Sequence, residues 1–174
     1  MAIPLVRRVR LPRPVFAVVC VCATIASCES ITEVVAHDVY NTGLSGRSVR
    51  PDSIATNGGG EFSATLSSDT SIMTYQMAYS QLSSAATQVH LHGPAVDTVV
   101  AAVIMDLAAL PPGGSGTIDL GTSGSASGSI DLELPVTNGM SGDSLRKLMM
   151  RGLVYVDVHT VNHSGGEIRG QLRK

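Results

Sequence analysis

Three histidines are placed so that their side chains could share one metal ion. His90 and His92 are two residues apart, and residues i and i+2 of a β-strand project from the same face. His159 ends a second run in which valines alternate with polar residues, so it lies on the polar face of that strand. Histidine is the commonest side-chain ligand of zinc and copper. The pattern therefore predicts a His-x-His plus His site for copper or zinc, provided that the two strands are neighbours.

Charged residues close to these histidines support two interpretations. Asp157 and Glu167 could accept hydrogen bonds from imidazole nitrogens and so orient metal-binding rings, and Arg169 would face Asp157 across the last hairpin. In the structural alternative, the histidines hydrogen-bond to Glu167, Thr160 and loop backbone, and fasten the last hairpin to the sheet. Polar clusters of this kind also serve structure alone. The sequence leaves both interpretations open.

No sequence pattern marks a catalytic site. The chain contains neither a Gly-x-Ser-x-Gly elbow after a strand nor a P-loop. Its three cysteines, Cys20, Cys22 and Cys28, all lie within the first 28 residues, so the remainder has no thiol nucleophile and no disulfide. Serine, histidine and aspartate are plentiful, so a serine triad stays possible, but no pattern marks one out. We therefore predict a domain that binds or supports rather than one that catalyses a reaction.

The first 28 residues resemble the signal peptide of a bacterial lipoprotein. Arginines at positions 7, 8, 10 and 13 precede an uncharged apolar run over residues 15–26. That run is shorter than the about 20 residues that a membrane-spanning helix needs, and it has the length of a signal-peptide core. Ile25-Ala26-Ser27-Cys28 resembles a lipobox, in which the cysteine thiol accepts the lipid. The alternative is an ordinary secretory signal in which Cys28 is incidental.

Cleavage before Cys28 predicts an exported protein that a lipid anchors to a membrane, at the periplasmic face or the cell surface. Residues 1–27 would be the signal peptide, 28–38 the lipid anchor and tether, and 39–174 the folded domain. Removing 1–27 leaves 8 of the 12 basic residues and all 14 acidic ones, a formal charge of −6. This charge argues against a nucleic-acid partner and against electrostatic adhesion to anionic lipid. The sequence does not identify a protein or envelope partner.

Short alternating runs broken by Gly, Ser, Asn, Asp and Pro predict an antiparallel all-β fold. The predicted strands comprise residues 61–66, 73–79, 88–92, 99–107, 116–120, 127–134, 154–159 and 167–172. The first two form a hairpin. An apolar i, i+3, i+4 pattern predicts one short helix near 142–151, with Gly152 in a left-handed conformation after its end. The expected architecture is a Greek-key-type β-sandwich or barrel with this single helix.

The last two strands have a predicted register. The valines of the first strand share a face with Ile168 and Leu172 only if the numbers of directly opposed residues add up to an even sum. The tightest such register pairs Tyr155 with Gln171, Asp157 with Arg169 and His159 with Glu167. A slip of one residue would bury the charged side chains. We therefore expect one apolar face towards the core and one polar outer face that carries charge pairs.

Three segments together resemble the CHRD domain, the module named after chordin: His90-Leu91-His92-Gly93-Pro94-Ala95, residues 153–160 and residues 165–172. Gly43-Leu44-Ser45-Gly46 is a looser match, and the resemblance extends over 39–174. It implies an all-β domain whose activity is poorly known. In chordin such domains belong to an extracellular growth-factor antagonist, a role that does not transfer to a lipid-anchored bacterial chain. The resemblance therefore implies a binding or structural module at the cell envelope.

Overall fold

The computed structural model describes residues 38–136 and 139–174. The predicted signal peptide, the predicted lipid attachment at Cys28 and nearly all of the tether lie outside these described residues. Within the described part of the chain, no helix is long and apolar enough to cross a membrane.

The described chain forms one antiparallel sheet of nine strands, curved into a half-barrel, and one α-helix. The strands are β1 (Asp38–Ser45), β2 (Gly59–Leu66), β3 (Ile72–Ser80), β4 (Ala86–His92), β5 (Val103–Asp106), β6 (Ser115–Ile118), β7 (Gly124–Asp131), β8 (Tyr155–Thr160) and β9 (Ile168–Gln171), and the helix is α1 (Gly142–Met150). Their order across the sheet is β5-β4-β8-β9-β1-β2-β3-β7-β6. The predicted all-β class with one short helix is confirmed, and the architecture is the barrel-like one of the two expected.

Apolar residues at every second position of β2 and β3 form one side of the hydrophobic core. The buried side of β3 consists of Met73, Tyr75, Met77 and Tyr79. The residues between them are exposed, as the geometry of a half-buried strand requires. β2 pairs with β3 along its whole length, with Phe62 opposite Met77. The predicted hairpin is therefore confirmed.

Helix α1 begins and ends where its local sequence predicts. The Ser141 side chain accepts a hydrogen bond from the backbone nitrogen of Ser144, which caps the first turn. Leu145 and Met149 are buried against the core. Gly152 follows with a φ of +64°, a left-handed conformation that glycine adopts without steric cost.

The register of β8 and β9 agrees with the prediction over most of its length. Tyr155 pairs with Gln171, and Asp157 with Arg169. The ladder ends one step later at Val158, however, because β9 begins only at Ile168. The expected pairing of His159 with Glu167 is thus not part of the ladder.

The polar face of β8 and β9 is buried, contrary to the expected outer surface. Asp157 is 5% exposed and Arg169 is 3% exposed. Residues 93–102, which connect β4 to β5 and are called the covering segment below, lie over this face. The carbonyls of Val96 and Val99 in that segment accept hydrogen bonds from Arg169 at 3.4 and 2.9 Å. The alternation of apolar and polar residues indicates which side chains share a face of a strand. It does not indicate whether a loop covers that face.

The sequence pattern did not predict β1, which joins the two parts of the sheet. β1 pairs with β2 along its whole length, and Ser45 at its end pairs with Arg169 in β9. Its Asn41 and Gly43 are of types depleted in strands, which weakens the local signal. The strand predicted at 99–107 is shortened to β5, because its first four residues belong to the covering segment.

Candidate metal centre

β4 lies beside β8, which is the condition on which the predicted histidine site depends. The antiparallel register places His90 directly opposite Asp157. Leu91 faces the core and is 1% exposed, so His90 and His92 project together from the other face. His159 projects from that same face of β8. Paired strands, rather than mobile loops, therefore position all four side chains.

These four buried side chains direct ligand atoms towards one point. One nitrogen or oxygen from each of His90, His92, Asp157 and His159 lies within 4.8 Å of the others. Oδ1 of Asp157 is 3.1 Å from Nε2 of His92 and 3.1 Å from Nε2 of His159. Nδ1 of His90 is 3.1 Å from Nε2 of His159. Ligands at about 2.0–2.1 Å from a tetrahedral ion are about 3.3 Å apart, so the cluster has the dimensions of a four-ligand site.

Backbone carbonyls determine which nitrogen of His92 and His159 faces the centre. Nδ1 of His92 donates to the carbonyl of Ala101 at 2.9 Å, and Nδ1 of His159 donates to that of Ser164 at 2.8 Å. Because a carbonyl oxygen only accepts, each neutral ring carries its proton on Nδ1 and presents the lone pair of Nε2 to Asp157. Lone pairs repel a carboxylate oxygen unless positive charge lies between them. The centre therefore requires a cation, either a metal ion or an imidazole proton.

Two atoms at this centre are buried without a hydrogen-bond partner in the described part of the chain. They are Nε2 of His92 and Oδ1 of Asp157, which approach each other without hydrogen-bond geometry. Buried polar atoms in folded proteins nearly always have a partner. Two unsatisfied atoms aimed at the same point, one of them on a ring oriented by a backbone carbonyl, form the arrangement expected of metal ligands.

The charges of the centre are distributed unequally among its side chains. Burial raises the pKa of Asp157, but the imidazoles of His159 and His92 against it lower that pKa overall, so the side chain is a carboxylate. The close contact with the Asp157 carboxylate raises the pKa of His159 despite its burial. Burial, followed by the neighbouring His159, lowers the pKa of His90. These opposite directions make His159 the more readily protonated of the two rings.

A family model for the CHRD domain matches residues 40–172, a range that includes every residue of this centre. The chain belongs to the CHRD family. The resemblance expected from the sequence motifs is thereby confirmed, and the half-barrel is a CHRD domain. No curated protein matches the chain, and no solved structure matches it.

Asp106, which the sequence motifs did not single out, approaches the centre of the CHRD domain from β5. Its Oδ2 is 3.9 Å from Nε2 of His90, on the side of the ring away from His159. Its Oδ1 accepts from the backbone nitrogen of Ala108 at 2.8 Å, which holds the carboxylate in place. A carboxylate at this position favours the His90 tautomer whose Nδ1 lone pair faces the centre. The sequence feature that could have identified Asp106 is its position as a carboxylate at the end of the strand that follows the His-x-His motif.

A stack of side chains positions His92. Its ring lies parallel to that of Tyr155, with an interplanar angle of 1° and centroids 4.7 Å apart. Cζ of Arg169 is 3.5 Å from the centroid of the same tyrosine, a cation–π contact. The Asp157–Arg169 pair expected from the sequence is therefore a backbone pairing, in which Arg169 stacks on Tyr155 and bonds the covering segment.

Glu167 does not contribute to this centre in the CHRD domain. Its fully buried carboxylate accepts hydrogen bonds from Thr56 Oγ1 at 2.6 Å, Ser83 N and Oγ at 2.7 Å each, and Thr160 Oγ1 at 2.8 Å. Thr160 follows His159 in β8, so the carboxylate lies on the opposite face of that strand. The hydrogen bond expected from an imidazole to Glu167 does not form. Glu167 instead fastens two loops to the end of β8.

Proposed function

We propose that this CHRD domain is a binding module for one divalent transition-metal ion, which His90, His92, His159 and Asp157 would hold. The observation that carries the proposal is the unpartnered pair of buried atoms, Nε2 of His92 and Oδ1 of Asp157. Without a cation, these two atoms lose their water and gain no partner, which is costly for the folded state. A bound ion satisfies both of them without any change in strand register.

The donor set limits the metal to a small group. Three imidazole nitrogens and one carboxylate oxygen, with no sulfur, suit zinc and copper(II) better than copper(I), which prefers thiolate and thioether ligands. The carboxylate of Asp157, as a fourth donor, makes zinc as suitable as copper. Four protein ligands close a tetrahedral shell and leave no open position for a water molecule or substrate. A module that carries or is stabilised by its metal, without turnover, fits this set best.

Metal stoichiometry tests the proposal directly. The purified protein, freed of metal with a chelator, is incubated with zinc or copper(II), dialysed, and analysed by elemental mass spectrometry. We expect about one ion retained for each chain, because one site satisfies all four ligands. Magnesium and calcium, which prefer oxygen ligands, serve as controls and should not be retained. Retention of neither zinc nor copper would contradict the proposal.

A different observation favours the alternative in which the histidines bind no metal and only fasten the strands together. The His159–Asp157 contact and the hydrogen bond between His90 and His159 already link β4 to β8 without a metal. If no ion is retained, the centre is a protonated network that fastens these strands, and the CHRD domain is a binding or structural module without a metal.

We also propose that the mature protein is lipid-anchored at Cys28 and exported to the cell envelope. The lipobox-like Ile25-Ala26-Ser27-Cys28 and the arginine-led apolar run before it support this part of the proposal. Replacing Cys28 with alanine should abolish palmitate labelling and move the protein out of the membrane fraction, because the thiol is the lipid acceptor. Cys22→Ala, six residues earlier in the predicted signal peptide, is the matched control and should remain labelled. Labelling of Cys28→Ala would disprove the anchor.

A further inference from the structure

The covering segment exposes apolar side chains in a connection between strands, where polar residues are usual. Val96, Val99 and Val100 are 48%, 48% and 55% exposed. Single exposed valines are common on protein surfaces, but three within five residues form a local apolar surface. Among these five residues only Asp97 is charged.

Hydrogen bonds beneath the covering segment keep its valines pointing outwards. Gln171 donates to the carbonyl of Ala95 at 2.8 Å, and Arg169 donates to the carbonyl of Val99 at 2.9 Å. His92 donates to the carbonyl of Ala101 at 2.9 Å. Because these carbonyls are bonded to side chains of the sheet below, the backbone cannot rotate to bury the valines without losing them. The apolar surface is therefore fixed in place by the fold.

Strand register places the covering segment and the start of β1 at the same end of the sheet. β4 ends at His92 opposite Tyr155, the first residue of β8, and Tyr155 pairs with Gln171 at the end of β9. β1 is antiparallel to β9 and begins at Asp38, so Asp38 also lies at this end.

Contacts near Asp38 support this placement. Arg173 exchanges backbone hydrogen bonds of 2.8 and 3.1 Å with Asn41, and its guanidinium is 4.0 Å from Asp97 in the covering segment. Lys174 forms an ion pair with Asp38. Asp38, where the described part of the chain begins, therefore lies on the side of the domain that carries the covering segment.

We propose that Val96, Val99 and Val100 form a contact surface for the lipid bilayer to which the protein is anchored. This inference rests on the lipid anchor of the proposed function. The ten residue-to-residue steps from Cys28 to Asp38 span at most about 35 Å, so the anchor keeps this end of the domain close to the membrane. At the high effective concentration that a short tether gives, a small apolar surface suffices for contact.

Charge identifies the kind of lipid surface. The predicted mature chain carries a formal charge of −6, from 8 basic and 14 acidic residues, and the segment itself contains Asp97. Attraction to anionic lipid therefore cannot drive the contact. The valines would insert at the boundary between headgroups and acyl chains, and a zwitterionic bilayer is sufficient.

The chain contains no tryptophan, so one substitution introduces a single fluorescent probe. Val99→Trp, in the lipidated mature protein, is reconstituted into phosphatidylcholine vesicles with and without brominated acyl chains. The matched control is Val161→Trp, because Val161 is 69% exposed and follows β8 at the opposite end of the sheet. We expect the emission of Val99→Trp to shift to shorter wavelength and to be quenched at least about twofold more than that of Val161→Trp.

Equal quenching of the two variants, or quenching of neither, overturns the proposal. Val100→Trp provides a second probe if Val99→Trp does not fold. A blue shift that rises with protein concentration in the absence of vesicles indicates a second copy on this surface, and it also overturns the bilayer contact. Protein that does not float with the vesicles at all lacks the anchor, which rejects the proposed anchoring itself rather than the orientation alone.

Discussion

Zinc or copper(II) is expected to raise the melting temperature of the wild-type domain, and the variant His92→Ala is expected to lose that increase. An ion that binds only the folded state stabilises it by mass action, by about 4 kcal/mol when its free concentration is 1,000 times Kd. For a domain of this size, that corresponds to a rise on the order of 10 °C. His92 contributes the unpartnered Nε2, so the substitution removes one of the four proposed metal ligands.

Controls separate loss of the metal site from loss of the fold. Asp157→Asn keeps the shape of the side chain but removes the negative charge, and it should likewise reduce the metal-dependent shift. His163→Ala removes a histidine outside the cluster and should keep the full shift. The measurement is differential scanning calorimetry of metal-free protein with and without added metal. If zinc stabilises His92→Ala as much as the wild type, the ion binds elsewhere and the centre has been misassigned.

Replacing Glu167 with alanine is expected to lower the free energy of unfolding by about 3–5 kcal/mol. The substitution leaves buried donors on Thr56, Ser83 and Thr160 without their acceptor, and each such orphan costs roughly 1–3 kcal/mol. Urea denaturation with linear extrapolation measures the change. Glu133→Ala, an exposed acidic residue, is the control and should change stability by less than about 0.5 kcal/mol. A loss as small as that of the control would show that the loops are held by other contacts.

Acidification should lower the free energy of unfolding of the wild-type domain by protonating Glu167. Burial raises the pKa of Glu167, but its hydrogen bonds from Thr56, Ser83 and Thr160 lower it overall below the ordinary value of 4.5. The unfolded chain thus binds the proton more tightly than the folded one. The contribution of Glu167 is complete above about pH 4.5 and is lost as the pH falls through the lower, folded-state pKa.

Glu167→Gln isolates this effect, because glutamine keeps the size of the side chain but does not titrate. We expect the stability difference between wild type and Glu167→Gln to be largest near neutral pH and to shrink below about pH 4.5. Denaturation curves at several pH values measure it. A difference that stays constant with pH would mean that Glu167 has the same pKa in the folded and unfolded chains, which would contradict the lowered pKa.

Local sequence patterns were enough to predict the elements that depend on neighbouring residues. Alternation predicted the hairpin of β2 and β3, the apolar i, i+3, i+4 pattern predicted α1, and the valines of β8 predicted its pairing with β9. The sequence also placed His90 and His92 on one face, because side-chain direction in a strand depends only on residue parity. Local pattern did not reveal β1, since its Asn and Gly residues weaken the strand signal and its partner β9 is distant in sequence.

Which strands are neighbours, and which segment covers them, depends on long-range packing that local patterns do not contain. The sequence does not state that β4 lies beside β8, because that pairing depends on the path of the chain through the whole sheet. It therefore could not show that Asp157 joins the three histidines, or that Asp106 reaches His90 from β5. The covering segment buries a face that alternation alone marks as polar and outer, and this burial deprives the centre of water. The odd or even position of a residue in a strand determines the face from which its side chain projects. Long-range packing determines which other side chains it contacts there.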